Sequence, residues 1–411
     1  MSDSPQTPPD KPSNHSTKIK LPASVDPNPE FVILPLIQAT AEDSKIDVEK
    51  IQHLCSCGLD SSRPEDRAVA WLVLSHIFKT DPFSVPQIRS KNKESYLEYI
   101  KILNMEGYEN EIFPLDAEVT KFREGIDNEL MSLIYIDVLR TPHHIHFLPF
   151  QDTSVEITST TDNLAPFHQQ MRRIERILYI FAKLNSTVSY LQGMNEIATV
   201  LYYVFSMAIA FFSNDHDEME SFVFTMFQTL HGSTKLSEMY LLQERSTILQ
   251  SRMNQFMDVL GKHFPKGANI ITTHNIPPFV FCYKWLLCLF SQDYLIPKLV
   301  LVWDALFAHF DELLEYATYV AVAKVKLLEN ELDLEDYIKS MTTLNKGVAE
   351  NVEELLRVAD RYWLEDHSEK NQLLTKVTNF FKNIQILPKQ QNHQDKKQPP
   401  PPNDHSPNHK K

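Results

Sequence analysis

Residues 192–212, Gln192-Gly193-Met194-Asn195-Glu196 followed by IATVLYYVFSMAIAFF, decide how this chain folds. Met194, Ile197, Leu201 and Phe205 step by three and four residues, the spacing of one helix face. The run from Ile197 to Phe212 is apolar almost throughout. It falls about a turn short of the roughly 20 residues that span a bilayer. Polar Gln192, Asn195 and Glu196 stand directly before it, so the reading is a helix buried in protein.

The same period continues on both sides. Met171, Ile174, Leu178 and Phe181 form one face upstream. Downstream, Pro297 opens a helix with Leu299, Trp303 and Leu306 on one face, and further helical patterns cover 313–329 and 349–363. Cap signals place other helix starts. Ser44 is read as the cap of a helix ending near Gly58, Ser62 and Glu65 as a capping box, and Ser90 as the cap of a helix to about Met105. Asn275 is read as the cap of a helix with Pro277 and Pro278 in its first turn. No alternating strand pattern competes. Only 8 glycines occur in 411 residues, which disfavours an all-β fold and Gly-rich phosphate loops. The expectation is an all-α chain.

Composition bounds the function classes. A net charge of −14 argues against nucleic acid as a partner. Four cysteines, Cys55, Cys57, Cys282 and Cys288, read as reduced thiols of a cytoplasmic protein. The N-terminal residues lack an apolar signal region, and no segment reads as transmembrane. Residues 1–30 and 388–411 are expected to be disordered tails, and the segment from Leu148 to Pro166 an internal loop. The Pro-rich run near the C-terminus is of the kind that SH3 or WW domains bind. No GxxxxGK[ST] segment is present, so the chain is not expected to bind GTP itself.

Two short segments carry candidate chemistry: Ile134-Tyr135-Ile136-Asp137-Val138-Leu139-Arg140-Thr141-Pro142, and Tyr190-Leu191-Gln192-Gly193-Met194-Asn195. With them the chain resembles the TBC domain family of Rab GTPase activators. The family's IxxDxxRT segment is matched by Ile134, Asp137, Arg140 and Thr141, and its YxQGM segment by Tyr190, Gln192, Gly193 and Met194. An earlier RxxxW segment is matched by Arg67 and Trp71, and a later WD pair by Trp303 and Asp304. All four occur in family order, over about residues 40–365. Finer stretches such as NSTVSYLQGMNEI are similar to the subgroup that consists of the TBC domain alone. One departure is local: the family's Pro soon after the glycine before RxxxW is absent, and Gly58-Leu59-Asp60 stands there, with Pro64 later.

The resemblance implies a TBC-type multi-helix domain, as one body or two helical lobes with the partner site between them, followed by a C-terminal helix over 366–387. It implies a GTPase-activating protein for a GTP-bound Rab, with no hydrolase activity and no cofactor of its own. GTP and Mg belong to the partner. Arg140 and Gln192 would be the two residues supplied in trans. Arginine suits the first role because it is always charged and offers a planar fork of donors to the phosphoryl oxygens. A carboxamide suits the second because it both accepts from water and donates to phosphate.

Asp137, one helical turn before Arg140, would orient an arginine. Alternatively, Asp137 and Arg67 form a structural ion pair. Gly193 would admit the partner closely, and Asn195 is a candidate cap of the following helix. Taken alone, Arg140 reads as a dipole-compensating residue and Gln192 as an ordinary loop residue. Trp71, Trp285 and Trp303 read as core, and Asp304 as an anchor. His143, His144 and His146 follow Arg140, but no cysteine or carboxylate stands at ligand spacing nearby, so no metal is expected. The resemblance places the protein in membrane traffic, cytoplasmic with peripheral contact to endomembranes. The competing reading is a TBC fold that binds a Rab or acts as a scaffold without catalysis.

Overall fold

A computed structural model describes residues 31–38, 44–56, 58–113, 121–149, 163–240 and 245–385. The tails, Cys57 and most of the expected 148–166 loop lie outside these residues. Among the described residues there are helices and no strands. The first eight α-helices are α1 (Val48–Ser56), α2 (Pro64–Leu74), α3 (Val85–Ile102), α4 (Asn128–Leu139), α5 (Pro142–Ile145), α6 (His168–Leu184), α7 (Met194–Met207) and α8 (His216–Ser233). The rest are α9 (Arg245–His263), α10 (Pro265–Thr273), α11 (Cys282–Leu287), α12 (Ile296–Ala308), α13 (Leu313–Leu327), α14 (Tyr337–Lys346) and α15 (Val352–Gln385).

The helices gather around two centres. α3, α4, α6, α7 and α8 pack together, as do α9, α10, α11 and α13, while α12 lies on α1 and α2 and joins them. The chain to Tyr362 clusters as one compact unit, and the division to a second unit falls at Trp363, inside α15.

Local capping differs from the sequence reading. Asp47, not Ser44, caps α1: its Oδ1 accepts from Lys50 N at 3.0 Å. No capping box opens α2, because Pro64 starts the helix and the Ser62 N–H is held by Asp60 Oδ1 at 2.9 Å. Ser90 lies inside α3, which begins at Val85 with Pro86 in its first turn, and its hydroxyl donates to Glu94. Asn275 ends α10 rather than starting a helix, since it takes the left-handed conformation at φ 51°. Pro277 and Pro278 then lead a 3-10 turn (Pro278–Val280) before α11. In the three serine cases a proline or an aspartate took the boundary instead.

Trp71, Trp285 and Trp303 are fully buried. Trp71 stacks on Phe307 with ring centroids 4.4 Å apart. Less expected is α6, whose polar residues are buried as well as its apolar face. Arg176 makes a paired contact to Glu220 of α8 at 2.7 and 2.6 Å, and Tyr96 of α3 donates to the same carboxylate at 2.7 Å. Arg172 lies 3.1 Å from Glu175, whose carboxyl burial pushes up to about 7. Charges inside a core persist only with partners of this kind. The long apolar run resolves into α7 and a separate 3-10 turn (Ile209–Phe212). No helix among the described residues is long and apolar enough to cross a membrane.

Candidate functional site

Arg140 is the C-cap of α4. Its backbone N–H closes the last turn on the carbonyls of Ile136 and Asp137 at 3.2 and 3.1 Å. The side chain is 71% exposed and lies 3.8 Å from one carboxylate, Asp137 Oδ1, a turn earlier. The cap thus fixes the backbone and leaves the guanidinium free to reach outward. Gln192 is exposed too, at the turn that leads into α7.

Buried polar side chains tie the two segments together. Tyr190 Oη donates to Asp137 Oδ2 at 2.9 Å. Asn195 Nδ2 donates to the Asp137 carbonyl at 3.1 Å and to Thr141 Oγ1 at 2.9 Å. Thr141, fully buried, donates in turn to the Asp137 carbonyl at 2.8 Å. Asn195 Oδ1 accepts from the Gly193 N–H at 3.1 Å and lies 3.3 Å from Tyr190 Oη. Asn195 is therefore not the cap of α7 but its second residue, and it bridges both segments with one amide. Gly193 holds the cap position at φ 103°, a conformation side chains rarely adopt. A Cβ there would lie 3.1 Å from Cys288 Sγ, so the glycine is explained by its own turn and by packing against the chain before Ser291. Met194 is fully buried behind the turn.

The electrostatics follow from this half-dry setting. Burial pushes the Asp137 carboxyl up, while the Tyr190 hydrogen bond and Arg140 pull it down. Burial, then the Asp137 charge, holds the Tyr190 phenol well above its usual value, so it stays a donor.

Other residues of the four segments lie in the scaffold. Arg67 pairs with Asp304, not with Asp137: Nε is 3.0 Å from Oδ1, and Nη2 is 3.1 Å from Oδ2 and 2.5 Å from the Leu59 carbonyl. Asp304 also accepts from Trp71 Nε1 and from the Leu59 N–H, both at 2.9 Å. Trp303 Nε1 donates to the Leu289 carbonyl at 2.8 Å. The Arg-Trp and Trp-Asp segments are thus two halves of one buried knot between α2 and α12.

Sequence spacing missed Glu196. In the first turn of α7, it accepts from His143 Nε2 at 3.2 Å and lies 3.6 Å from His144 Nε2. A carboxylate does therefore stand beside these histidines, brought there across 53 residues of chain. His144 is fully buried and donates through Nε2 to the Ser291 carbonyl at 2.8 Å. Burial, and then neighbouring His143, lowers its pKa to about 4. The only local hint was an acidic residue at a helix start, which is common at helix starts generally.

Residues 67–333 match the family model described as Rab-GTPase-TBC domain. Human and mouse TBC1 domain family member 13 are each 30% identical over 186 residues, 45% of this chain and 46% of theirs. The match thus spans about half the length of these relatives, and identity at this level does not separate one subgroup of the family from another. A crystal structure of the Ypt/Rab-GAP domain of Gyp1p superposes with a TM-score of 0.58 at 16% identity, covering 80% of this chain and 95% of that one, which is a likeness of fold.

Proposed function

The chain belongs to the Rab-GTPase-TBC domain family, and from that premise we propose that it activates a Rab-type GTPase by supplying Arg140 and Gln192 in trans. The observation that carries this reading is the pairing of exposure with anchorage. Both side chains reach solvent, while the backbones beneath them are joined through Tyr190, Asp137, Asn195 and Thr141. A residue that acts only inside a partner's site must project from its own surface, yet it must be held in register with its companion.

The bound GTP and Mg of the partner would supply the reacting phosphoryl group and its metal. Arg140 would stabilise the charge that develops there, and Gln192 would orient the attacking water. Tyr190, Asn195 and Thr141 would position the segments without touching the nucleotide. On this reading the chain hydrolyses nothing alone, works in membrane traffic from the cytoplasm, and carries its activity within about residues 40–365. The Pro-rich C-terminal segment would serve as a separate docking motif for an SH3 or WW domain.

The test is phosphate release from a panel of GTP-loaded Rabs, with the wild type, Arg140→Ala and Gln192→Ala. We expect stimulation of one or a few Rabs and a loss of at least about 10²-fold for Arg140→Ala, against the range for an arginine supplied in trans. If no Rab responds, or both variants match the wild type, the catalytic reading fails and binding without catalysis replaces it.

A further inference from the structure

We propose that His143, His144 and Glu196 form a zinc-binding site beside the Arg140 segment. The three ligand-type atoms lie within 4.8 Å of one another. The two imidazole Nε2 atoms are 3.2 and 3.6 Å from the same carboxylate oxygen. A tetrahedral zinc with bonds of about 2.0–2.2 Å spaces its ligand atoms roughly 3.3–3.6 Å apart, so both histidine-to-carboxylate spacings already match it. Two imidazoles and one carboxylate are also a donor set that zinc accepts with a position to spare.

The other nitrogen of the His144 ring bears on how an ion would be held. His144 is fully buried, yet its Nδ1 has no hydrogen-bond partner among the described residues, and neither does the buried Ser291 hydroxyl. That nitrogen points away from Nε2 and is free to carry the ring proton when Nε2 binds an ion. Binding an ion through the two Nε2 atoms moves the proton of each ring to its Nδ1. For His144 that shift gives up the bond to the Ser291 carbonyl at 2.8 Å, which the bond to the ion must more than replace. His143, with its side chain 38% exposed, gives an ion its way in.

An ion here would tie α5, directly after Arg140, to α7, directly after Gln192. That consequence for activation rests on the proposed function, but binding does not, and the two are measured apart.

The experiment uses the full chain at pH 7.5, titrated with zinc chloride by calorimetry and with cobalt chloride by visible absorption, where tetrahedral cobalt gives its own bands. We expect a site of one ion per chain that weakens at least about tenfold in both His143→Ala and Glu196→Gln. Weaker background binding to the other histidines of the chain should persist in both variants. His143 is partly exposed, so His143→Ala should fold even if Glu196→Gln does not, and thermal melting checks both. No one-to-one binding in the wild type, or binding unchanged in His143→Ala, overturns the proposal. Rab stimulation measured with and without zinc then reads the consequence separately.

Discussion

Tyr190 Oη donates to Asp137 Oδ2 at 2.9 Å, and this bond joins the segment that carries Arg140 to the turn that carries Gln192. The donor is buried and its phenol is held protonated, while the acceptor is a carboxylate with one exposed cation beside it. Removing the hydroxyl in Tyr190→Phe leaves the ring packed and Asp137 short of a donor. A hydrogen bond to a charged group contributes about 1.5–3 kcal/mol. We expect a stability loss of that order in denaturant unfolding and a fall in Rab stimulation at unchanged Rab affinity. Stimulation equal to wild type would remove Tyr190 from the positioning role.

Arg140→Lys separates function from folding. The guanidinium is mostly exposed and its one carboxylate partner is 3.8 Å away. Surface changes of this kind usually shift stability by no more than about 0.5 kcal/mol. Lysine keeps the charge but loses the planar fork. The expected outcome is an unchanged melting curve together with a large loss of Rab stimulation. A matching loss of stability would assign Arg140 a structural role instead.

Arg67→Ala should do the reverse. Asp304 is fully buried and relies on Arg67, Trp71 and the Leu59 N–H, and burial already pushes its carboxyl up. Removing one partner of a buried pair costs about 3–5 kcal/mol because the other charge is left uncompensated. Chemical denaturation should report that loss. The double variant Arg67→Met with Asp304→Leu should recover part of it.

Gly193→Ala tests the turn. At φ 103° a Cβ is strained whatever the space, and here it also meets Cys288 Sγ at 3.1 Å. We expect destabilisation above about 1 kcal/mol. Paired with Cys288→Ala, the steric part should be relieved while the backbone part remains, which a double-mutant cycle resolves.

His231 gives a pH signature. It is fully buried, donates through Nδ1 to the Phe227 carbonyl at 3.0 Å, and burial lowers its pKa to about 4. Unfolded histidine titrates near 6.5. Between these values the unfolded chain binds more protons, so this contribution is fully present above about pH 6.5 and is lost as pH falls toward 4. The wild type should therefore lose its advantage over His231→Gln across that window, by on the order of 3 kcal/mol. A stability gap constant with pH would contradict the neutral buried state.

The helical class and the positions of the apolar faces are legible in the residues alone. Met194, Ile197, Leu201 and Phe205 all became core of one helix, and Trp71, Trp285 and Trp303 are fully buried. Periodicity is a local property, and burial of an apolar stripe follows wherever the stripe is placed. The four short segments were legible for the same reason: each is read within a few residues of chain.

Which segments meet one another came from helix packing. It paired Arg67 with Asp304 across 237 residues, set Tyr190 on Asp137 across 53, and brought Glu196 to His143 and His144. It also buried the charged face of α6, which periodicity would leave in water, because Glu220 and Tyr96 arrive from α8 and α3 to meet it. Hydrogen bonds and ion pairs depend on separation in space, and spacing along the chain carries no record of that separation until the helices have packed.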